Sequence, residues 1–397
     1  MARITIVSIW SLFFLLVHSC RQVSNRTDEL SVIEMNSSAK APVSRLFRQI
    51  DLVPLETCDS SLIGIAIKRI ERKADRLYVL NHMNTRVNLL CFDTVGKFLF
   101  RIDRNGNGPQ EYTYLGDFFI EPQREQLVLI AESGHFLYLD LDGNFIASRR
   151  IQRGYYARQT VAPEDAPFYW AFNDAQEYPL GIDLIQLDTA TMEIAETFSS
   201  SDIFPNILSS PLATCGAQTL YYHLNDTIYD LGKEEKKPLY RVRIGKKQEL
   251  CKQKLPSLIA KDPVGYVVQM GKWFQEGDFI MVTHIGATPS LLFLSAFKQD
   301  PLQNQKLQAQ AFFAIYDKST SQTYNSDNLK WDLLGLESIA DVELIGCSEG
   351  VLYGWFRKPF SAAEKEKINA SPHLPQDTKD KLLRHTEEDN PILFMLR

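Results

Sequence analysis

The sequence contains none of the short motifs that mark the common catalytic centres. There is no HExxH zinc motif, no GxSxG nucleophile elbow and no phosphate-binding loop with Lys followed by Ser or Thr. The histidines stand apart, and no Cys/His pair has the spacing of a metal site. These absences favour a protein that is not an enzyme. They leave open a site whose ligands come from distant parts of the chain.

An excess of positive charge is also absent. The chain has 43 Lys and Arg against 49 Asp and Glu, which gives a formal net charge of −6. Arg3 is the one charged residue among residues 1–19, so removal of that segment makes the charge −7. Nothing in this balance favours a nucleic-acid partner, because such binding relies on neutralising phosphates with Lys and Arg.

Cysteine is scarce and scattered. There are six cysteines and no CxxC pair, and the five that follow Cys20 are Cys58, Cys91, Cys215, Cys251 and Cys347. An odd number at irregular spacing predicts buried free thiols rather than a disulfide framework, with one incidental disulfide as the alternative.

Long apolar runs are missing beyond the N-terminus. Arg3 is followed by ITIVSIWSLFFLLV, about the length of a signal-peptide core, and the run ends in VHSC at Cys20. This resembles a bacterial lipobox, so we predict a signal peptide over 1–19 and lipidation of Cys20. The alternatives are an ordinary signal peptide cut elsewhere or a membrane helix. Residues 20–45 are mainly polar and predict a flexible tether.

A unit of strand, turn, strand, tight turn and strand recurs along the chain. Residues 75–102 and 125–151 show it best, with Gly96 and Gly143 at equivalent turns 47 residues apart. This spacing is typical of β-propeller blades. Weaker copies lie at 167–198, 218–245, 278–297 with 311–325, and 350–360 with 390–397.

The six units predict an all-β fold, a six-bladed β-propeller over residues 46–397 with small helical insertions. The ring must close, and we expect a strand within 46–57 to pair with the last strand, 390–397. Residues 245–262 and 361–388 are rich in helix formers, with Ser361 and Asp377 as expected helix caps.

The chain resembles the six-bladed β-propeller lipoproteins of Bacteroidetes, which are similar in architecture to NHL-repeat propellers. The residues that carry the resemblance are the lipobox, IDLVPLET, DRLYVLN, FDTVGKFLFRI, GNGPQEY, NDTIYDL and DNPILFMLR. The resemblance covers essentially the whole mature chain. It implies the fold and an envelope location, but it does not imply an activity.

The stretch FRIDRNGNGPQEYTYLGDF, residues 100–118, allows three interpretations. A phosphate cradle is disfavoured, because Pro109 removes a backbone donor and no helix follows. A calcium loop is the second interpretation, with Asp103, Asn105 and Asn107 as ligands, although Tyr114 stands where a carboxylate is needed. The third interpretation is a connector between two blades.

The connector interpretation is favoured, since Gly106 and Gly108 permit unusual backbone angles and Asn and Asp stabilise turns. We expect this loop near the mouth of the central channel, where it would offer side chains to a ligand and pair Arg104 with Glu111. The candidate ligand-binding residues are Arg104, Asn105, Asn107, Glu111 and Tyr112.

Large aromatic residues provide further binding candidates. Trp170, Trp273 and Trp355, with Tyr155, Tyr156 and Tyr169, would suit stacking against a sugar in the channel. Asn173 is a further candidate ligand-binding residue. The alternative role of the tryptophans is packing between blades. His223 and His284 lie in strand-like segments and are expected to be hydrogen-bonded core residues rather than metal ligands.

We therefore expect a lipid-anchored envelope propeller that binds a glycan or a partner protein without catalysis, has no resident cofactor and meets the membrane only through its lipid. Two alternatives remain. One is a lactonase- or lyase-like enzyme with a metal on the channel axis, for which Asn173, Asp174, Asn225 and Asp226 are candidate ligands. The other is a purely structural subunit of an outer-membrane complex.

Overall fold

The computed structural model describes most of the chain from residue 30 onwards. It describes residues 30–397 except 85, 132–133, 153–154, 156, 174–181, 200–209, 224, 233–235, 263–264, 277–279, 300–308 and 340. The predicted signal peptide, Cys20, Tyr156 and Asp174 lie outside the described residues. None of the described helices is long and apolar enough to cross a membrane.

Six sheets, the blades, form the body of the described chain: each has four antiparallel strands, and one of them gains a fifth strand. The first strands of the chain are β1 (Ser31–Glu34), β2 (Ala41–Pro42) and β3 (Ile50–Pro54). Blade 1 contains β4 (Ala66–Lys73), β5 (Arg76–Met83), β6 (Arg86–Asp93) and β7 (Phe98–Ile102). Blade 2 contains β8 (Leu115–Glu121), β9 (Gln126–Ala131), β10 (His135–Leu139) and β11 (Phe145–Arg150). Blade 3 contains β12 (Gln159–Val161), β13 (Phe168–Phe172), β14 (Ile182–Asp188) and β15 (Ile194–Ser199).

The second half of the ring repeats this order. Blade 4 contains β16 (Leu212–Cys215), β17 (Gln218–His223), β18 (Thr227–Leu231) and β19 (Lys236–Arg243). Blade 5 contains β20 (Met281–Ala287), β21 (Leu291–Gln299), β22 (Ala309–Asp317) and β23 (Gln322–Asn325). The short β24 (Leu329–Lys330) pairs with β2. Blade 6 contains β25 (Val342–Ser348), β26 (Val351–Phe356), β27 (Ile392–Leu396) and β3.

The first strand of each blade contacts the first strand of the next blade, and β25 contacts β4, so these six inner strands surround a common axis. Each pair of neighbouring blades encloses its own apolar cluster. A blade alone could not bury both of its faces, whereas stacking in a ring covers them. The prediction of a six-bladed β-propeller is therefore confirmed.

Hairpin turns explain why the repeat is visible in the sequence. In blade 1 the Asp93 carboxylate accepts hydrogen bonds from the N–H groups of Val95 (3.0 Å) and Lys97 (2.8 Å), and Gly96 takes φ +89°. The equivalent glycine of blade 2, Gly143, takes φ +83°. A left-handed φ favours glycine, which is why both turns carry it at the same place.

The two ends of the described chain close the ring as predicted. Strand β3 pairs antiparallel with β27, with Pro54 opposite Ile392 and Ile50 opposite Leu396. The N–H of Arg397 also donates to the carbonyl of Gln49 over 3.1 Å. Blade 6 therefore combines the start and the end of the propeller in one sheet.

The predicted start of the folded body at residue 46 is wrong. Strand β1 adds to blade 4 as a fifth strand, parallel to β19, and the side chains of Ile33 and Met35 are completely buried. The amide of Asn325 donates to the carbonyl of Met35 over 3.2 Å. The alternation of apolar residues in this segment spans only a few positions within a polar stretch. The polar composition of residues 20–45 therefore suggested a tether rather than a strand.

The described residues also form four α-helices outside the blades: α1 (Lys246–Lys261), α2 (Gly265–Gln275), α3 (Ala362–Ala370) and α4 (Gln376–Arg384). Ser361 caps α3 through a reciprocal capping box with Glu364, as predicted. The N-cap of α4 is Pro375, so the expected cap at Asp377 is wrong, and Asp377 lies in the first turn instead. Helix α2 was not predicted, because GYVVQMGKWFQ is rich in β-branched and aromatic residues.

Candidate functional site

The loop that joins blades 1 and 2, residues 103–114 and hereafter the connector loop, is closed by its own hydrogen bonds. The N–H of Gly106 donates to Tyr112 (3.0 Å), and the N–H of Tyr112 donates to Arg104 (2.9 Å). The Glu111 carboxylate accepts the N–H of Gly108 at 2.8 Å. Both partners of each of these three hydrogen bonds thus lie within the loop.

The glycines of the connector loop are needed for space rather than for an unusual backbone angle. Neither Gly106 nor Gly108 has a positive φ. A Cβ at Gly106 would lie 2.0 Å from the Glu111 carboxylate. The expectation that these glycines supply left-handed angles is therefore wrong, and Gly106 instead lies against the Glu111 carboxylate.

Arg104 and Tyr112 hold neighbouring parts together. The guanidinium of Arg104 donates to the carbonyl of Gly143 over 3.0 Å, which ties the loop to blade 2, and no ion pair with Glu111 forms. Tyr112 is buried, and its hydroxyl donates to Ile102 over 3.4 Å. Both residues act as structural links between blades.

The three candidate calcium ligands, Asp103, Asn105 and Asn107, have exposed side chains. The Glu111 carboxylate of the same loop accepts the N–H of Gly108. Calcium binding by the connector loop stays a prediction that titration calorimetry at millimolar calcium would test.

The tryptophans that were predicted to contact a ligand instead contact other side chains of the protein. Trp170 is buried between blades 3 and 4, with Phe168 and Phe198 edge-on to its ring. Trp273 lies in helix α2 and packs within an apolar cluster. Trp355 donates to the Glu343 carboxylate over 3.1 Å within blade 6. These positions correspond to the alternative role of packing.

The remaining candidate ligands are buried or hydrogen-bonded within the protein. Asn173 is fully buried. Asp226 accepts a hydrogen bond from the Tyr222 hydroxyl at 2.7 Å and pairs with Lys252 of helix α1, and Asn225 donates to the Tyr229 hydroxyl over 2.9 Å. Asn225 and Asp226 therefore stabilise the junction of blade 4 and helix α1.

The structure instead places an open cavity of about 400 Å³ on the propeller axis, which we call the axial cavity. It is lined by the ends of all six inner strands and the turns that follow them: residues within 69–73 of blade 1, 119–122 of blade 2, 159–164 of blade 3, 210–216 of blade 4, 285–289 of blade 5 and 345–350 of blade 6.

The connector loop leads into the start of β8, whereas the axial cavity is lined by the end of that strand. None of the candidate ligand-binding residues from the sequence lines the axial cavity. Sequence reasoning missed the lining residues because six separate segments supply them, and no local motif unites those segments.

A buried ionic network lies at one end of the axial cavity. Arg69 of blade 1 donates to the carboxylates of Asp117 (2.8 Å) and Glu71 (2.6 Å) and to the carbonyl of Thr160 (3.1 Å). Blades 1, 2 and 3 are thereby joined near the axis. Burial alone would lower the pKa of Arg69, but the two carboxylates outweigh it and raise that pKa.

His284 forms another link between blades near the axis. Its Nε2 donates to the carbonyl of Lys68 over 3.1 Å, so Nδ1 can accept from the Thr283 hydroxyl at 3.0 Å. Burial lowers the pKa of His284 to about 4, so this histidine is neutral at physiological pH. It is a hydrogen-bonded core residue, as the sequence suggested, and it links blade 5 to blade 1.

Two cysteine thiols line the axial cavity, and one lysine ammonium contacts a residue of its lining. Cys215 and Cys347 line the axial cavity as free cysteines, and burial raises the pKa of Cys347 to about 12. The ammonium of Lys318 donates to the carbonyl of Thr288, a lining residue, over 2.7 Å. Burial lowers the pKa of Lys318 and disfavours its charge.

Within the described residues, no group of three or more His, Cys, Asp or Glu side chains is placed to hold a metal ion. Glu71, which lines the axial cavity, and the buried Asp117 are both bonded to Arg69. The arrangement therefore provides a polar pocket with charged walls rather than a converging set of ligands.

A comparison with a solved structure agrees with this architecture. A structure of a Bacteroides fragilis protein that is predicted to be exported superimposes with a TM-score of 0.65 at 19% identity, covering 92% of this chain and 99% of that chain. A DUF4221 family member from Bacteroides vulgatus gives a TM-score of 0.48 at 9% identity, covering 88% of this chain and 96% of the other. No curated protein sequence matches.

The first of these similarities supports the fold alone, because its identity is low. The family whose sequence profile matches is DUF4934, described as a domain of unknown function, and the match covers residues 30–397. It begins next to β1 and ends with the closing strand, so it includes the whole described propeller. The chain belongs to the DUF4934 family.

Proposed function

We propose that this protein is an envelope binding protein that holds a small ligand in the axial cavity without catalysis. The observation that carries the proposal is the cavity itself: about 400 Å³, open, on the axis and lined by all six blades. Ligand sites are typically concave and few per protein, and their volumes start near 300 Å³.

The proposed location rests on the N-terminal sequence. The apolar run followed by VHSC at Cys20 suits export and lipid attachment, and the similar Bacteroides fragilis protein is also predicted to be exported. In this proposal the lipid on Cys20 is the protein's contact with the membrane. Mass spectrometry of the mature N-terminus tests it, and an unmodified Cys20 would contradict it.

The geometry offers less support to the two other ligand hypotheses. The tryptophans expected to stack on a glycan are buried among apolar side chains or hydrogen-bonded within a blade. The residues expected to hold a metal in a lactonase- or lyase-like site, Asn173, Asn225 and Asp226, do not line the axial cavity. A non-enzymatic binding role agrees better with these placements.

Native mass spectrometry of full-length protein purified from membranes tests the proposal. We expect a small-molecule adduct on the wild-type protein and its loss in Gly346→Phe. Gly346 lines the axial cavity, and a Cβ there has as its nearest neighbour the carbonyl oxygen of Ile70 at 3.7 Å. A Cβ at this position therefore meets no clash, and we expect the larger phenylalanine side chain to extend into the axial cavity.

A matched control uses the same substitution outside the axial cavity. Gly271→Phe lies in helix α2, where an added Cβ meets no atom within 4 Å. We expect the control to keep the adduct. Retention of the adduct by Gly346→Phe, or absence of any adduct on the wild-type protein, would overturn the proposal.

A further inference from the structure

The first described strand brings the N-terminal part of the chain to the start of helix α1. Strand β1 lies parallel to β19, and the N–H of Met35 donates to the carbonyl of Arg243 over 2.9 Å. The side-chain amide of Asn36 donates to the carbonyl of Ile244, which lies two residues before α1 begins. The start of the propeller chain and the helical insertion between blades 4 and 5 are therefore neighbours.

A lipid on Cys20 would be within reach of α1. Ser31 lies opposite Tyr240, which precedes Lys246 by six residues, or about 20 Å of extended chain. Leu30 follows Cys20 by ten residues, and an extended chain of that length spans at most about 35 Å. A bilayer that holds the lipid can therefore also meet α1.

The outward side of α1 is basic. One row of its exposed side chains, hereafter the basic stripe, consists of Lys246, Leu250, Lys254, Ser257 and Lys261. These positions recur every three or four residues, so they lie along one side of the helix. The helix has five lysines and one acidic residue, the exposed Glu249 beside the stripe, in a chain with a net charge of −6. Positive charge is thus concentrated on α1 within an acidic protein.

The other side of α1 is occupied by the fold. The amide of Gln248 donates to the carbonyl of Ile280 over 3.2 Å and accepts its N–H at 2.8 Å. Cys251 packs in an apolar cluster with side chains of α2. Lys252 lies outside the basic stripe and pairs with Asp226. These contacts fix which side of α1 faces outward.

Helix α2 packs against α1 and presents a similar surface. Val268, Lys272 and Gln275 are exposed and spaced by four and three residues, so they share one side of α2. Val268 is 60% exposed, the largest fraction among the large apolar side chains described, and Leu250 of the basic stripe is 55% exposed. Lysine with exposed apolar side chains on a helix is typical of a surface that lies in the lipid headgroup region.

We propose that helices α1 and α2 form a second membrane contact, which lies against a bilayer surface containing anionic lipids. This inference rests on the lipid that the proposed function places at Cys20, and it adds a contact made by the folded protein. The lysines attract anionic headgroups, and Leu250 and Val268 enter the boundary between headgroups and acyl chains. A lipid chain combined with a basic patch holds a membrane more firmly than either alone.

This contact sets the direction in which the axial cavity opens. Helices α1 and α2 lead into the start of β20, whereas the axial cavity is lined by the end of β20 and the turn that follows it. The docked surface and the opening therefore lie at opposite ends of the same strand. The axial cavity faces away from the bilayer, where a soluble ligand has access to it.

The test uses lipidated protein purified from membranes and reconstituted on vesicles of brominated lipids, which quench the fluorescence of tryptophan that touches them. Leu250→Trp places an indole in the basic stripe, whereas the four tryptophans in the described chain are buried. We expect brominated phosphatidylglycerol to quench this variant more than the wild-type protein. Brominated phosphatidylcholine, which has no net charge, should quench it less.

The matched control is Ile146→Trp, in strand β11 of blade 2, opposite blade 5 in the ring. Ile146 is 48% exposed, close to the value for Leu250, and its replacement should stay unquenched. A further variant adds Lys246→Gln, Lys254→Gln and Lys261→Gln to Leu250→Trp. Each lysine near an anionic surface contributes roughly fivefold to binding, so this variant should lose about a hundredfold in docking and most of the quenching.

The outcomes separate this inference from the proposed function. Lack of quenching in Leu250→Trp on vesicles would overturn the inference and leave the basic stripe to another occupant, such as an acidic protein. Equal quenching of Ile146→Trp, or full quenching without the three lysines, would overturn it as well. None of these results changes the adduct that Gly346→Phe is expected to remove. An unmodified Cys20, seen by mass spectrometry, would instead remove the anchor on which the inference rests.

Discussion

The connector loop and the axial cavity both consist of polar residues at bends between strands, but they use those residues differently. In the connector loop the Glu111 carboxylate accepts a backbone N–H at 2.8 Å, and Arg104 donates to a carbonyl of the next blade. At the axial cavity Arg72 and Lys318 have carbonyl partners and no carboxylate in the described structure. A polar motif that stands out in the sequence can have its hydrogen bonds satisfied within the protein, whereas the lining of a cavity can come from dispersed residues that form no motif.

The largest expected effect concerns the buried network on the axis. Arg69→Met leaves Asp117 and Glu71 without their counter-charge, and we expect the free energy of unfolding to fall by about 3–5 kcal/mol. Urea unfolding measures it. The control is Lys73→Met, whose partner Glu125 is 61% exposed, so its loss should stay within about 1 kcal/mol. Similar losses for both variants would contradict a buried network.

The next effect depends on pH and on His284. The folded pKa is about 4, below the ordinary value of 6.5, so between these values the unfolded chain binds a proton that the folded protein does not. Stability should therefore fall by about 3 kcal/mol as the pH drops from 6.5 to 4, and be regained above pH 6.5. In His284→Gln this part of the pH dependence should disappear, while exposed His373→Gln should keep it. Equal profiles for the three proteins would refute the assignment.

A pair of glycine substitutions sharpens the comparison directly. Gly106→Ala places a Cβ 2.0 Å from the exposed Glu111 carboxylate, which can move away only by giving up its hydrogen bond with the N–H of Gly108, so we expect a loss of about 1 kcal/mol. Gly346→Ala places it 3.7 Å from the nearest atom at the axial cavity and should change stability by about 0.5 kcal/mol or less. Chemical denaturation of both variants tests this ranking, and the reverse order would show that the connector loop is the looser region.

The smallest expected effect is that of Lys318→Met on stability. Burial disfavours the charge of Lys318, and methionine keeps the apolar stem without that penalty. The free energy of unfolding should stay within about 0.5 kcal/mol of the wild-type value or rise slightly. A loss above about 1 kcal/mol would indicate that Lys318 stabilises the fold.

The fold was predictable because its information is local. Asp93 and Gly96 form a tight turn that recurs with Gly143, and the spacing between these turns reveals the blades. The closing pair β3 and β27 followed from the need to complete a ring. Strand β1 was missed because its register is set by contacts with β19, which its own short pattern does not encode.

The site was not predictable for a related reason. Arg72, Cys215, Lys318 and Cys347 come from different blades and meet only after the ring has formed. Both faces of most blades are buried, so the alternation along a strand does not indicate which residues face the axis. Trp170, Trp273 and Trp355 were singled out by their chemistry, but their neighbours in space decide their role.

The closure of blade 6 has a consequence for the order of events during synthesis. Strand β3 ends at Pro54, and its hydrogen-bonding partner β27 begins at Ile392, after the other strands of the described blades have been made. At 5–20 residues per second, translation of the intervening segment takes roughly 20–70 s. Through that interval β3 has a free edge with no partner in the finished blades, so the nascent chain needs protection from mispairing until β27 is made.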